Sequence, residues 1–467
     1  MAGSGERAIR SVAVLGGGIV GLSAALAFAR ALPRVAVRVI EIPPDPAALT
    51  DRVPGSWPLI ARFHAAIGLD EADVLRAGAA TFKLGTRFEG GPGGGAPWYQ
   101  VHGQTGFAAG SIPFHQLWAR ARRAGAVLPF DQYSAAAVLA QAGKFVHPEG
   151  DPRSPLSSYD YALRLDPARY AALLRALAVR RGLVVAGGAL AGVERRDDGG
   201  VAALRLADGQ RVAADLFLDC AGPGATLLGA LDDGFEDWSA GLPRERLLID
   251  AAPHVAATSR DTVRWSASGW EMRAALPGYE QRVTAGGANA TGGIALRPGR
   301  RVPWCRNVLA LGDAALVASP LPGTALYLAH AAILRALELL PGRDCHPLEL
   351  AEYNRRAGLE GARVLDFHAL HYRAAGRPVP DGLAHDIEQF TRRGRVPTHD
   401  EDPFPRESWI GALIGTGVLP GHTDPLAAGV DAAESAAAMQ RLADGLATVP
   451  GQLPEYARYL RLRGAPG

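Results

Sequence analysis

Near its start the chain changes hydrophobic period. Val12, Val14 and Leu15 form a short apolar run of the kind a buried strand makes. The alanine-rich apolar stretch over residues 22–31 then reads as a helix, and residues 35–40 as a second strand ending at Glu41. Between the first strand and the helix stand Gly16, Gly18 and Gly21, spaced Gly-x-Gly-x-x-Gly. The first glycine permits a tight turn, the second lets backbone approach a pyrophosphate, and the third lets helix pack closely on strand. The N–H groups that open the helix, beginning with Ile19, face the phosphates. Glu41 follows the last glycine by 41 − 21 = 20 residues, where an acid accepts from a ribose hydroxyl. Together these features predict an adenine dinucleotide site. A glycine turn in an ordinary α/β unit is the alternative.

The pattern continues with prolines that break residues 43–56 into a loop and a helix over 57–66. ATFKLGTRFEGG reads as one strand, apolar at Phe82, Leu84 and Phe88 and cationic at Lys83 and Arg87. The Gly/Pro-rich loop after it belongs near a site, since structureless loops in compact domains tend to be functional. Residues 134–160 read as irregular. The clearest helix begins at Asp166 as cap and Pro167 in the first turn. Tyr170, Leu173, Leu174 and Leu177 share its apolar face, and Gly182 ends it. Strands over 190–196, 201–206 and 212–218, punctuated by Asp-Gly turns, form a β-meander that runs into Asp219. RLLIDAA, TVRWSAS and GWEMRAALPG read as an inserted antiparallel sheet. The chain then returns with a strand over 308–311, Gly312 and Asp313 at its end, and a helix over 324–340.

This order predicts an α/β fold. A Rossmann-like FAD-binding domain of the single-component flavin monooxygenase type carries a β-meander, an inserted antiparallel sheet and a helical C-terminal region. Residues 1–230 are its first part, 231–300 the substrate sheet, 301–342 the return segment and 343–467 a substrate or lid region. Asp313, at a strand end, suits the ribityl hydroxyls of a flavin, because ligands sit at strand C-termini in such sheets; a helix-capping role is the alternative. No second glycine motif follows a strand, so no NAD(P)H domain is visible.

Composition narrows the partners. With 467 residues, 48% of them hydrophobic, the chain can bury a large core over two or three domains. A formal net charge of +2 without a basic block gives nucleic acid no footprint. Three cysteines, Cys220, Cys305 and Cys345, are too few and scattered for a disulfide framework or a metal site. The default is therefore a reducing, cytoplasmic location. No secretory pattern opens the chain and no apolar run is long enough to span a membrane.

The segments just named resemble, over nearly the whole chain, the flavin-dependent tryptophan halogenase family. GGGIVG resembles its opening turn, FKLGTRF the segment around its catalytic lysine, and ADLFLDCAG the end of its meander. GRRVPWCRNVLALGDAA resembles its second flavin segment and SPLPGTALYLAHAAI its halide segment, while EYN, DFHALHY and ESWIGALIGTGVLP echo its C-terminal part. The resemblance implies reduced FAD from a separate reductase, oxygen, and chloride or bromide converted to hypohalous acid. That acid would reach Lys83, which delivers halogen to an aromatic or indole-like substrate. It places halide at the backbone of Thr324 and Ala325.

Two signatures depart from the family. Pro322 stands where a glutamate precedes Ser-Thr-Gly, and it can neither accept a proton nor orient hypohalous acid. The Trp-x-Trp-x-Ile-Pro signature keeps Trp270 but has Met272 and a delayed Pro277. A flavin monooxygenase or oxidase that has lost halogenation, or a non-catalytic flavin-binding paralogue, therefore stays open beside a halogenase. Trp98, His102, Trp270 and Pro322 are the pocket candidates, with Trp118 and Trp265 either lining the pocket or packing the core. His330, and the pair His368 and His371, read as core residues rather than metal ligands. A homodimer is left open.

Overall fold

Ser11–Leu15 is a central strand because both its faces are covered, and all of it but Ser11 is buried. It pairs in parallel with Ala36–Glu41 on one side and Leu216–Asp219 on the other. Val184–Gly187 extends the sheet beyond Ala36–Glu41, and Val308–Ala310 and the antiparallel Trp304–Cys305 extend it at the opposite edge. The computed structural model describes residues 8–91, 95–125, 127–232, 234–253, 256–287, 291–373 and 377–466. The glycine-turn helix, Ile19–Ala31, is buried along its first ten residues. A meander of Leu190–Arg195, Val201–Leu206 and Arg211–Ala213 packs Val201, Leu204 and Val212 against Leu15, Phe217 and Val308.

These elements belong to one compact unit, built from Met1–Ala80, Leu165–Arg244 and Ile294–Ala362. A second unit comprises Thr81–Arg164, Glu245–Gly293 and Arg363–Gly467. Its sheet runs Glu245–Pro253, Tyr279–Gly287, Gly269–Leu276, Arg260–Ser266, Gly85–Glu89 and Trp98–Val101 in spatial order. All neighbours are antiparallel except Arg260–Ser266 against Gly85–Glu89. Helices Phe114–Arg123 and Ala432–Gln452 share an apolar cluster that includes Trp118, Tyr133 and Met439. A buried guanidinium, Arg363, is 2.9 Å from Asp366, 2.9 Å from Asp386 and 3.2 Å from Asp402.

Several elements differ from the sequence pattern for local reasons. ATFKLGTRFEGG is two strands, Ala80–Lys83 and Gly85–Glu89, because the Leu84 N–H leaves the ladder for Ser259 O. The third meander strand splits at Asp215, whose carboxylate accepts from Arg10 and Ser11 N–H and draws Leu216–Asp219 into the main sheet. Residues 134–160 contain a helix, Ala135–Gln141, with the Ser134 hydroxyl as cap. Residues 81–164, grouped by sequence with the nucleotide region, pack within the second unit.

Candidate functional site

The first unit gathers its chemistry around the glycine turn. Gly16 has φ +112°, and a Cβ there would lie 2.4 Å from Cys220 O. A Cβ on Gly21 would lie 2.0 Å from Gly16 O, so this glycine sets how closely helix meets strand. At Gly18 the obstacle is a side chain: a Cβ would meet Asp51 Oδ2 at 1.9 Å. Asp51 Oδ1 accepts from Val20 N–H at 3.3 Å, so a carboxylate sits against the opening of the helix that contains Ile19. Burial raises the Asp51 pKa above its ordinary value, against the bonds from Val20 and Ile19. An anion at this helix N-terminus is the arrangement a pyrophosphate needs. The cradle thus fits the phosphates of a dinucleotide once Asp51 withdraws.

Glu41, at the end of its strand, is held by the fork of Arg175, whose Nη1 lies 2.8 Å from Oε2. A Cβ on Gly17 would lie 2.7 Å from Glu41 Cγ, which accounts for a glycine between the motif positions. Gly312, φ +61°, abuts Val20 of the glycine-turn helix. Asp313 accepts from Thr50 N–H at 2.8 Å and from the Thr50 hydroxyl at 3.0 Å. Burial lifts its pKa to about 7, the Thr50 bonds pull it down, and the charges of Asp51 and Asp45 add to the rise. Its remaining lone pairs suit the hydroxyls of a ribityl chain.

Helix Ala325–Glu338 begins at Thr324, with Pro322 and Gly323 before it. Its Leu326 and Tyr327 N–H groups both donate to Gly55 O, at 3.0 and 3.2 Å. A Cβ on Gly55 would fall 2.3 Å from Gly323, so a glycine is required for that approach. Those two donors are therefore occupied at this helix start, where the sequence resemblance places halide at Thr324 and Ala325. Ala325 lines a cavity of about 60 Å³ together with Gly312 and Asp313. His330 lies on the same helix, stacked on Phe63 at 3.5 Å between ring centroids.

The second unit holds Lys83. It is buried, and its Nζ lies 2.7 Å from Asp261 Oδ2, both side chains being 7% exposed. Asp261 also accepts from Arg164 Nε at 2.6 Å. Burial opposes its ionisation, but the two cations hold its carboxyl below the ordinary value. His102 is buried, which pushes its pKa to about 3 with a contribution from Lys83, so the ring is neutral at pH 7.

A cavity of about 580 Å³ in the same unit is lined by Phe88, Trp98, Trp118, Phe130 and Trp265, among others. Phe88 and Trp98 stack at 4.6 Å, and a Cβ on Gly415 would lie 2.2 Å from the Trp98 ring. Of the four pocket candidates from sequence, only Trp98 lines this cavity. Trp270 is buried elsewhere, its indole N–H 3.0 Å from Glu245 Oε1 and from the Tyr372 hydroxyl. His102 lies outside the lining and Pro322 belongs to the first unit. Trp118 and Trp265 line the cavity. Trp118 also packs in the unit's apolar cluster, with its N–H on Leu128 O.

Sequence reasoning missed Asp51, Arg175, Thr50, Gly55 and Asp261, because each reaches its partner through the fold rather than along a motif. His371, read as a packing residue, lines the cavity. Among the described residues no group of three or more His, Cys, Asp or Glu could hold a metal ion, and no helix is long and apolar enough to cross a membrane.

Comparison with known proteins follows the same outline. A family profile described as tryptophan halogenase matches residues 11–289 and 274–432. BrvH, a flavin-dependent halogenase from Brevundimonas sp. BAL3, superposes with a TM-score of 0.90 at 31% identity, covering 97% of this chain and 99% of that one. Xcc4156, a flavin-dependent halogenase from Xanthomonas campestris, gives a TM-score of 0.90 at 30% identity, covering 99% and 100%. Tryptophan 7-halogenase KtzQ from Kutzneria sp. (strain 744) is 25% identical over 324 residues, which are 56% of this chain and 60% of KtzQ. The matched stretch is thus under two thirds of that curated relative's length.

Proposed function

This chain belongs to the tryptophan halogenase family, and we propose that it is a flavin-dependent halogenase of small aromatic, indole-like substrates. It uses oxygen, bromide or chloride, and reduced FAD supplied by a separate reductase. The observation that carries the reading is Lys83, a buried ammonium in the unit that also holds the aromatic cavity. A buried lysine is rare unless it is paired or used, and here the family segment FKLGTRF surrounds it.

When bound, FAD supplies the oxidation of halide by oxygen. The chain's own residues do the rest. Gly16, Gly18 and Gly21 give the pyrophosphate room, the Ile19 and Val20 amides donate to it, and Glu41 and Asp313 accept from ribose and ribityl hydroxyls. The Thr324 and Ala325 amides hold halide at a helix N-terminus, where the dipole favours an anion by roughly 0.3–1 kcal/mol. Lys83 Nζ donates to the oxygen of hypohalous acid while Asp261 fixes the ammonium. Halogen passes to a ring carbon, the ring proton leaves, and water is the second product.

Pro322 supports a second reading, a monooxygenase or oxidase without halogenation, because no side chain at that position can take the ring proton. Incubation with a flavin reductase, bromide and a panel of indoles, read by mass spectrometry, separates the two. Bromine added to a substrate supports the halogenase and its loss in Lys83→Met assigns the lysine. Added oxygen supports the second reading. Equal bromination by wild type and Lys83→Met, with free hypohalous acid scavenged, overturns the role of Lys83.

A further inference from the structure

A second cavity in the second unit, of about 560 Å³, shares no lining residue with the aromatic one. Arg395, Arg406 and His385 line it, and Asp424 is the one carboxylate among its described lining residues. That carboxylate is largely engaged within the chain. Its Oδ1 accepts from Leu426 N–H at 3.0 Å, and its Oδ2 lies 3.4 Å from Arg395 Nη2. A well-formed bond of this charged kind runs to about 2.7–2.9 Å, so the Arg395 fork keeps most of its donors. Arg406, exposed at the start of helix Arg406–Gly415, has no carboxylate partner among the described residues.

The cations stand on a wall that is tied together. Gln116, 3% exposed, donates through Nε2 to Arg393 O at 2.8 Å and to Gly394 O at 2.9 Å, and its Oε1 accepts from Asp424 N–H at 2.9 Å. His115 Nε2 donates to Gly394 O at 2.7 Å. Gly394 has φ +62°, and a Cβ there would lie 2.7 Å from Gln116 Nε2, so the close approach needs a glycine. Backbone beside Arg395 and beside Asp424 is thereby pinned to one helix, Phe114–Arg123. The rest of the wall includes Ile112, Val396 and Leu426, the last 67% exposed. A cavity of this volume lies within the range of about 300–1,000 Å³ that small ligands occupy.

We propose that this cavity binds a small organic oxyanion, a phosphate monoester or a carboxylate with an apolar body, through the guanidinium groups of Arg395 and Arg406. A guanidinium fork matches either oxyanion two bonds at a time. Two such forks against one engaged carboxylate leave positive charge in excess, and His385 adds to it when protonated. The apolar body covers Ile112, Val396 and Leu426, which removes apolar surface from water. The inference draws on neither the dinucleotide cradle nor the halogenase reading.

The test is calorimetry on the full-length protein in excess FAD, which fills the phosphate cradle of the first unit. Phenyl phosphate and phenylacetate are the probes, with inorganic phosphate, acetate and benzyl alcohol as their fragments. At least one aryl anion should bind once per chain with a Kd of about 1 mM or tighter, and the tighter of the two identifies the oxyanion. The matching inorganic phosphate or acetate should bind roughly tenfold more weakly, and benzyl alcohol should not compete. Arg406→Gln and Arg395→Gln should each weaken the aryl anion about tenfold, whereas Arg122→Gln, in the aromatic cavity, should leave it unchanged. No saturable binding of either aryl anion to wild type overturns the proposal without any variant. Equal affinity for the aryl anion and its small counterpart overturns the apolar part of the site. Binding that survives both Arg395→Gln and Arg406→Gln but is lost in Arg122→Gln belongs to the aromatic cavity and overturns the proposal as a whole.

Discussion

Replacing Asp51 by asparagine should tighten FAD binding. The Asp51 carboxylate takes Val20 N–H at 3.3 Å and stands 1.9 Å from where a Cβ on Gly18 would be. A phosphate using the same amide must displace it. Two unit charges about 4 Å apart interact by about 4 kcal/mol at an effective dielectric constant of 20. Withdrawal of the Asp51 loop to twice that distance, into a wetter environment, brings the repulsion to about 1 kcal/mol. Asparagine keeps the shape and removes the charge, so the gain lies between these limits, with about 5-fold in Kd as the floor. The sign with pH follows from the raised Asp51 pKa. Acidification protonates this carboxyl earlier than a free one, so wild-type affinity should climb toward that of the variant as pH falls. Asp313, lifted to about 7 by burial and in part by the Asp51 charge, titrates lower in the variant, so the magnitude is compared well above pH 7, where Asp313 is ionised in both proteins. Titration of flavin-free protein with FAD at several pH values, followed by quenching of flavin fluorescence, gives both Kd series. Equal or weaker binding by Asp51→Asn at every pH would refute the assignment of the pyrophosphate to this amide.

Gly18→Val puts a side chain where backbone must approach phosphate, so it should abolish FAD binding; folded protein with unchanged affinity counts against the motif. Asp261→Asn leaves Lys83 and Arg164 without their shared carboxylate, and losing one partner of a buried ion pair costs about 3–5 kcal/mol, which a urea midpoint would register. Pro322→Glu should raise halogenated product over wild type, the group it restores being worth about 10²–10⁴-fold in comparable catalysis; an unchanged yield removes Pro322 from the mechanism. Glu245, pushed to about 7 by burial against the bonds from Tyr372 and Trp270, favours the folded state fully below pH 4.5 and loses that contribution as pH rises through 7. Glu245→Gln should therefore gain stability relative to wild type across that window, by no more than about 3 kcal/mol; a difference constant with pH contradicts it.

The nucleotide half was legible because its signal is local. Strand, glycines, helix and Glu41 lie within 31 residues, and steric necessity at Gly16 and Gly21 is a property of the turn itself. The helix after Asp166 was equally readable, since its cap bonds Arg169 N–H three residues on. Glu41 could be named but not its partner Arg175, 134 residues away. The cavity was least legible: its wall joins residues 88–131 to Trp265, His371 and 407–419, and its aromatic side chains carry no mark that separates lining from core. Trp98 and Trp270 look alike in sequence, and only the fold gives Trp270 a buried carboxylate for its N–H. Alanine, abundant throughout, blurs helical periodicity, which is why Ala135–Gln141 escaped notice.

Six consecutive residues near the start of the chain touch the three positions proposed for ligands in the first unit. Thr50 holds Asp313, Asp51 covers the opening of the helix proposed to receive pyrophosphate, and Gly55 O occupies two amides at the start of Ala325–Glu338. On the proposed function, a dinucleotide that draws Asp51 aside pulls on the same short tether that packs against the proposed halide segment. Free energy exchanged along such a tether is reciprocal: whatever factor FAD imposes on halide affinity, halide must impose on FAD. The expected outcome is that halide concentration controls cofactor retention, and a bromide titration of FAD affinity checks it: an affinity independent of bromide shows that the tether carries no coupling.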